Sequence, residues 1–209
     1  MTVYVYLHGF ASSPRSRKAQ DLRDRFAALN LTLHIPDLNQ NDFTHLTLTR
    51  QIQQVCAGFP PDQPIVIIGS SLGGLTAAWV GEQCPQVDRL VLLAPAFEFL
   101  NHWVPKLGDK LLREWQSGKP LMVYHYGAER LLPLNYQFVV DCADYDSARL
   151  QKPIPTLIMH GIYDEVIPIQ ASQNYAYLRP WVELVELESD HALAEVSQAI
   201  WGSVTQFLF

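Results

Sequence analysis

Residues 64–69, Pro-Ile-Val-Ile-Ile-Gly, form an apolar run that no polar side chain interrupts. A strand built from such a run has no face to offer to water, so it belongs inside a parallel sheet covered by helices on both sides. The run is followed at once by Gly69-Ser70-Ser71-Leu72-Gly73-Gly74 and then by a helix-forming stretch that ends at Cys84, before Pro85. Strand, tight turn and helix therefore follow one another without a break.

The same rhythm recurs along the chain. Residues 3–7 are β-branched and aromatic and lead into His8-Gly9. Residues 15–29 place Ala19, Leu22, Phe26 and Leu29 at helical spacing. Residues 31–35 read as a second strand ended by Pro36, and 44–59 as a helix with Leu48, Ile52 and Val55 on one face. Further strands are expected at 89–93, 156–160 and 182–187, with a closing helix over 192–209. The alternation predicts an α/β fold: a mostly parallel sheet of six strands, helices on both faces and right-handed crossovers. The 209 residues fit one domain spanning 1–209. In sheets of this kind ligands bind beyond the carboxyl ends of the strands.

One region departs from the rhythm. Between Ala94 and Pro153 the chain is much longer than a single crossover helix needs. Residues 97–117 read as helical, 121–126 as strand-like and 135–150 as helical, which predicts an insertion at 96–152 capping the strand ends. The insertion is rich in aromatic residues, and Trp103, Trp115 and Tyr124 are candidate substrate-binding residues for an apolar acyl pocket. The same aromatics could equally serve to pack the insertion onto the sheet.

Composition narrows the partners. A net charge of −6 without any basic run argues against nucleic acid and anionic membranes, but leaves a charged small substrate open. The longest apolar run, residues 90–97, is far short of the roughly 20 residues of a membrane span. The first residues lack the basic and long apolar regions of a signal peptide. Cys56, Cys84 and Cys142 are odd in number, widely spaced and outside any CxxC pattern, which suggests reduced structural thiols, no zinc site and a cytoplasmic location. Neither a dinucleotide fingerprint nor a phosphate-binding loop occurs, so no cofactor and no metal are expected. Oligomeric state is left open by the sequence.

Chemistry-bearing residues cluster just after the strands. The Gly69-Ser70-Ser71-Leu72-Gly73 turn matches G-x-S-x-G in the strand–turn–helix setting that gives the pattern meaning. A serine at such a turn is held in a strained conformation, and its neighbours two positions away must be small. Ser71 is the candidate nucleophile and Ser70 its rival; the plainer reading is a helix cap. A serine needs a base, and His191, after the last strand and before the last helix, is the best placed of seven histidines. Asp164, a few residues beyond the 156–160 strand, is the candidate partner for the imidazole, with Glu165 and Asp190 as adjacent alternatives. His160 and Gly161 read as turn-shaping residues. The backbone N–H groups of Leu72 and Phe10 are candidate oxyanion donors. Ser12-Ser13-Pro14 reads as the N-cap region of the first helix.

Taken together, these segments resemble the α/β-hydrolase superfamily along nearly the whole chain. The opening His8-Gly9-Phe10-Ala11-Ser12-Ser13-Pro14-Arg15-Ser16-Arg17-Lys18 is similar to that of compact bacterial esterases with an HGF-x-SSP-x-S-x-K start. The resemblance implies a triad of Ser71, Asp164 and His191, oxyanion donors at Phe10 and Leu72, and a small acyl ester or thioester as substrate. Two features depart from that pattern: the sheet begins directly with the strand before His8-Gly9, without the superfamily's usual N-terminal strand pair, and the insertion is longer than such compact esterases need. A function of another class, a non-catalytic small-molecule binding or interaction module on the same fold, is the alternative.

Overall fold

The computed structural model describes residues 1–209. Six strands form one parallel sheet: β1 (Val3–Leu7), β2 (Leu33–His34), β3 (Ile65–Ser70), β4 (Val87–Leu93), β7 (Thr156–Gly161) and β8 (Val182–Leu187), in the order β2-β1-β3-β4-β7-β8. The order reverses at β1, which lies between β2 and β3. The apolar run that opened the sequence is β3, paired with β1 on one side and β4 on the other, every residue buried.

Period-two alternation sends the strand side chains to two separate cores. Val5, Leu7, Ile65, Ile67, Leu90, Leu92 and Ile158 face the larger core. There they meet α2 (Leu48–Ala57) and α3 (Leu72–Gln83). Tyr4, Tyr6, Val66, Ile68, Val91, Leu93, Leu157 and Met159 face the smaller core, covered by α1 (Arg17–Ala28) and α8 (Ser197–Leu208). Helix α7 (Ile169–Tyr177) joins β7 to β8.

The long segment between β4 and β7 holds α4 (Phe99–Trp103), a 3₁₀ turn (Val104–Leu107), α5 (Asp109–Gln116), the antiparallel pair β5 (Leu121–His125) and β6 (Arg130–Leu134), and α6 (Gln137–Cys142). The single helix expected over 97–117 is thus broken in two. Pro105 lacks the N–H a continuing helix requires, and Gly108 sits at φ +75° between the pieces. Strand β6 contains Pro133, a residue that central strands exclude. It survives because β6 pairs with one neighbour only, so the missing N–H costs no second ladder. Helix α1 begins at Arg17 with Ser16 as its N-cap, so Ser12-Ser13-Pro14 belongs to the preceding loop instead. Helix α8 begins at Ser197, later than expected, and the amides of Ala192 and Leu193 ahead of it are turned onto the Asp190 carboxylate.

Cys56, at the end of α2, and Cys84, which follows α3, form a disulfide with Cα atoms 6.5 Å apart; only Cys142 is free, and it is buried. The two helices lie side by side on the sheet, so residues distant in sequence meet at their ends. The expectation of three reduced thiols falls, and with it the support those thiols lent to a cytoplasmic location. No helix is long and apolar enough to cross a membrane.

Candidate active site

Ser71 sits between β3 and α3 with φ 56° and ψ −122°, a left-handed backbone that a residue with a side chain adopts only under constraint. The constraint is visible on both sides. The Ser71 amide donates to Leu93 O at 2.9 Å, and the Ser71 carbonyl accepts from Gly74, Leu75 and Ala96. A Cβ on Gly69 would strike the backbone of Gly73, and one on Gly73 would strike the carbonyls of Leu7 and His8. Glycine at both positions is therefore a steric requirement.

The side chains brought to this turn come from loops after three different strands. His191 Nε2 lies 2.9 Å from Ser71 Oγ, and His191 Nδ1 lies 2.6 Å from Asp164 Oδ2. Since Asp164 is an acceptor, Nδ1 carries the proton there and Nε2 is left to accept from the serine hydroxyl. The rivals have other partners. The Ser70 hydroxyl accepts from Lys18 Nζ at 3.0 Å. Asp190 Oδ1 accepts from the amides of Ala192 and Leu193, and Glu165 is exposed.

Asp164 is held from all sides. Its Oδ1 accepts from the amides of Val166 and Ile167, both at 2.8 Å, while Oδ2 accepts from His191 and from His160 Nε2 at 3.0 Å. Burial by itself would raise the pKa of this carboxyl. The bonds from His160 and His191, the His191 charge and the Ile167 amide outweigh burial and hold it well below the usual carboxylate range.

His160 therefore does more than shape a turn. It is fully buried on β7, with Nε2 facing both Asp164 and Ile167 O, and Nδ1 2.7 Å from the Ser172 hydroxyl on α7. The signal was present as a His four residues before an Asp after a strand, but the pattern is common and says nothing of orientation. His8 plays a comparable part at the other rim. Its ring is buried, Nε2 accepts from Leu38 N at 3.0 Å, and Nδ1 donates to Gly9 O at 3.0 Å, which braces the His8-Gly9-Phe10 loop.

The Phe10 amide makes no hydrogen bond within the protein, and Leu72 opens α3, where an amide has no intrahelical partner. The Phe10 ring is anchored by Phe43, Phe99, Trp103 and Phe138, with centroids 5.3–5.8 Å away. That packing fixes the loop that carries the free amide.

A cleft of about 710 Å³ opens over Ser71 and His191. Trp103, Trp115 and Tyr124 do not line it. Trp115 is buried with its indole N–H on Leu134 O at 2.7 Å, Trp103 packs between Phe99 and Trp115, and Tyr124 faces outward beside Tyr126. The aromatics of the insertion chiefly glue it to the sheet. Tyr126 and Tyr163 line the cleft instead, together with the hydroxyl-bearing Tyr6, Ser12, Ser16 and Ser70 and the acidic Glu165 and Asp190. No three His, Cys, Asp or Glu side chains converge as a metal-binding group.

Solved structures of the same architecture cover nearly the whole chain. Alpha/beta hydrolase domain-containing protein 10 from mouse superposes with a TM-score of 0.79 at 19% identity, over 99% of this chain and 89% of its own. A protein from Agrobacterium vitis S4 that carries a hydrolase name superposes at 0.84 with 20% identity, over 100% and 88%. Est1E from Butyrivibrio proteoclasticus superposes at 0.71 with 17% identity, over 99% and 88%. The fold is thus the α/β-hydrolase fold. Residues 3–208 match the model of UPF0227, described as an uncharacterised protein family, and the chain belongs to that family.

Proposed function

We propose that the protein is a serine hydrolase that cleaves a carboxylic ester or acyl thioester through an acyl-enzyme. The observation that carries this reading is the unbroken chain from Ser71 Oγ through His191 to Asp164, with spacings of 2.9 and 2.6 Å, at the mouth of a cleft. A serine hydroxyl with an oriented imidazole is the requirement for nucleophilic acyl transfer.

In this mechanism His191 Nε2 takes the Ser71 proton as Oγ attacks the substrate carbonyl. The Phe10 and Leu72 amides receive the oxyanion, each worth about 3–4 kcal/mol to the transition state. His191 then passes the proton to the departing alcohol or thiol, which leaves Ser71 acylated. Water, deprotonated by His191, attacks the acyl group, and the acid departs as Ser71 regains its proton. Asp164 keeps Nδ1 protonated and stabilises the imidazolium, and its depressed pKa keeps it charged for that task.

The test is labelling with a fluorophosphonate probe. Wild type takes up the probe at one serine and Ser71→Ala takes up none. Undiminished labelling of Ser71→Ala overturns the assignment of the nucleophile. Absence of labelling in wild type, together with saturable binding of a small molecule, favours a binding module.

A further inference from the structure

The loop before α1 and the first turn of that helix bring three groups with unused donors to the cleft. Lys18, on the first turn of α1, is the one lysine or arginine that lines it. Its ammonium has three N–H donors, and only one is used, toward Ser70 Oγ at 3.0 Å. Ser12 and Ser16 line the same cleft, and their hydroxyls make no hydrogen bond within the protein. Acidic groups stand near Lys18 without engaging it. Asp164 spends both oxygens on His160, His191, Val166 and Ile167, while Asp190 holds the turn at Ala192 and Leu193. Ser70, the residue that accepts from the ammonium, immediately precedes Ser71 in the chain, and Lys18 and Ser71 line the same cleft.

We propose that Lys18, with the hydroxyls of Ser12 and Ser16, forms a subsite for a carboxylate carried by the substrate close to its scissile carbonyl. The substrate class is then the half-ester or half-thioester of a short dicarboxylic acid. A neutral acyl chain in that place would leave two N–H donors of a half-buried ammonium and two hydroxyls without partners. A carboxylate matches three donors with two oxygens. This inference rests on the reading of Ser71 as the nucleophile of a hydrolase.

Burial pulls the Lys18 pKa down to about 8, against the attraction of Asp190 and Asp164. The titratable groups that share the cleft with Lys18 are Tyr6 from the sheet, Tyr126 from beyond β5, Tyr163 and Glu165 from beyond β7, and Asp190 and His191 from beyond β8; Asp164 attracts it from behind His191. Burial pushes the Tyr6 phenol up, so it stays neutral where Lys18 titrates. Lys18 is charged at neutral pH and loses its charge as pH rises past its pKa.

The experiment compares monomethyl succinate with methyl butyrate, esters of equal acyl length, by proton release. Wild type hydrolyses the succinate half-ester with the higher kcat/KM. Lys18→Met lowers kcat/KM for the half-ester about 10- to 100-fold, as expected for a charged hydrogen bond, and leaves methyl butyrate within about threefold. Lys18→Arg restores most of the preference. In wild type the ratio of the two rates falls between pH 7 and pH 9.5, and effects common to both esters cancel from that ratio. Equal rates for both esters in wild type, an equal loss for both in Lys18→Met, or a flat ratio across that pH range overturns the subsite. A wild type that takes up fluorophosphonate but shows no half-ester preference overturns the subsite alone. A wild type that takes up none overturns the hydrolase reading together with it.

Discussion

At the scale of single residues, Asp164 is the most heavily committed group in the protein. Four donors converge on a carboxylate whose side chain is fully buried. A carboxyl whose folded pKa is depressed stabilises the fold above its unfolded pKa, near 3.9, and that contribution fades as pH falls toward the folded pKa. The sign yields a prediction independent of any activity. Asp164→Asn is less stable than wild type at pH 6, and the gap in urea midpoint narrows at pH 3. A gap that widens at pH 3 contradicts the assignment of Asp164 as a buried anion. The sequence put Ser71, Asp164 and His191 in the right order after strands, and the structure brings those three side chains together. It also shows what spacing could not: His160 holds the same carboxylate oxygen as His191, and His8 braces the loop of Phe10. Both roles depend on which way a ring points, and that is decided by packing.

At the scale of elements, the turn between β3 and α3 was legible because its sterics are local. Two glycines and a strained serine follow directly from a chain that reverses within a few residues. A methyl at Gly73 meets the carbonyls of Leu7, the last residue of β1, and of His8 just beyond it, which are backbone atoms with little freedom to yield. Gly73→Ala should therefore lower stability by more than about 2 kcal/mol. Gly202 lies within α8 with nothing within 4 Å of its missing Cβ, so Gly202→Ala should raise stability by about 0.5–1 kcal/mol through helix propensity. Urea denaturation of the two variants checks both, and a Gly73→Ala protein as stable as wild type refutes the steric account. The segment after β4 was legible only in outline. Its helices are short, its β5–β6 hairpin contains Pro133, and its aromatics could not be assigned to a pocket or a core from their spacing. The structure assigns Trp103 and Trp115 to the core, and leaves the cleft wall to the loop before α1, to Tyr126 and to Tyr163.

At the scale of the whole molecule, the Cys56–Cys84 bond ties the ends of α2 and α3 across 28 residues of sequence. Closing a loop of that length restricts the unfolded chain by about 3–4 kcal/mol. Reduction, or Cys56→Ser, is expected to lower the melting temperature by roughly 5–15 °C for a domain of this size. An unchanged melting temperature under reductant shows that the bond carries no such load. The sheet, its parallel direction and the strand-end position of Ser71, Asp164 and His191 were determined by the sequence alone. The apolar run of residues 64–69, the alternation of periods and the glycine spacing each act over a few residues, where sterics and solvent leave one solution. Contacts between distant segments were decided only by the tertiary structure. Those contacts include the Cys56–Cys84 pair, the burial of Trp115, the grip of His160 on Asp164, and the meeting of Lys18 with Ser70. The physical reason is that each needs a distance and an orientation between elements. Residue spacing along the chain carries neither until the elements have packed.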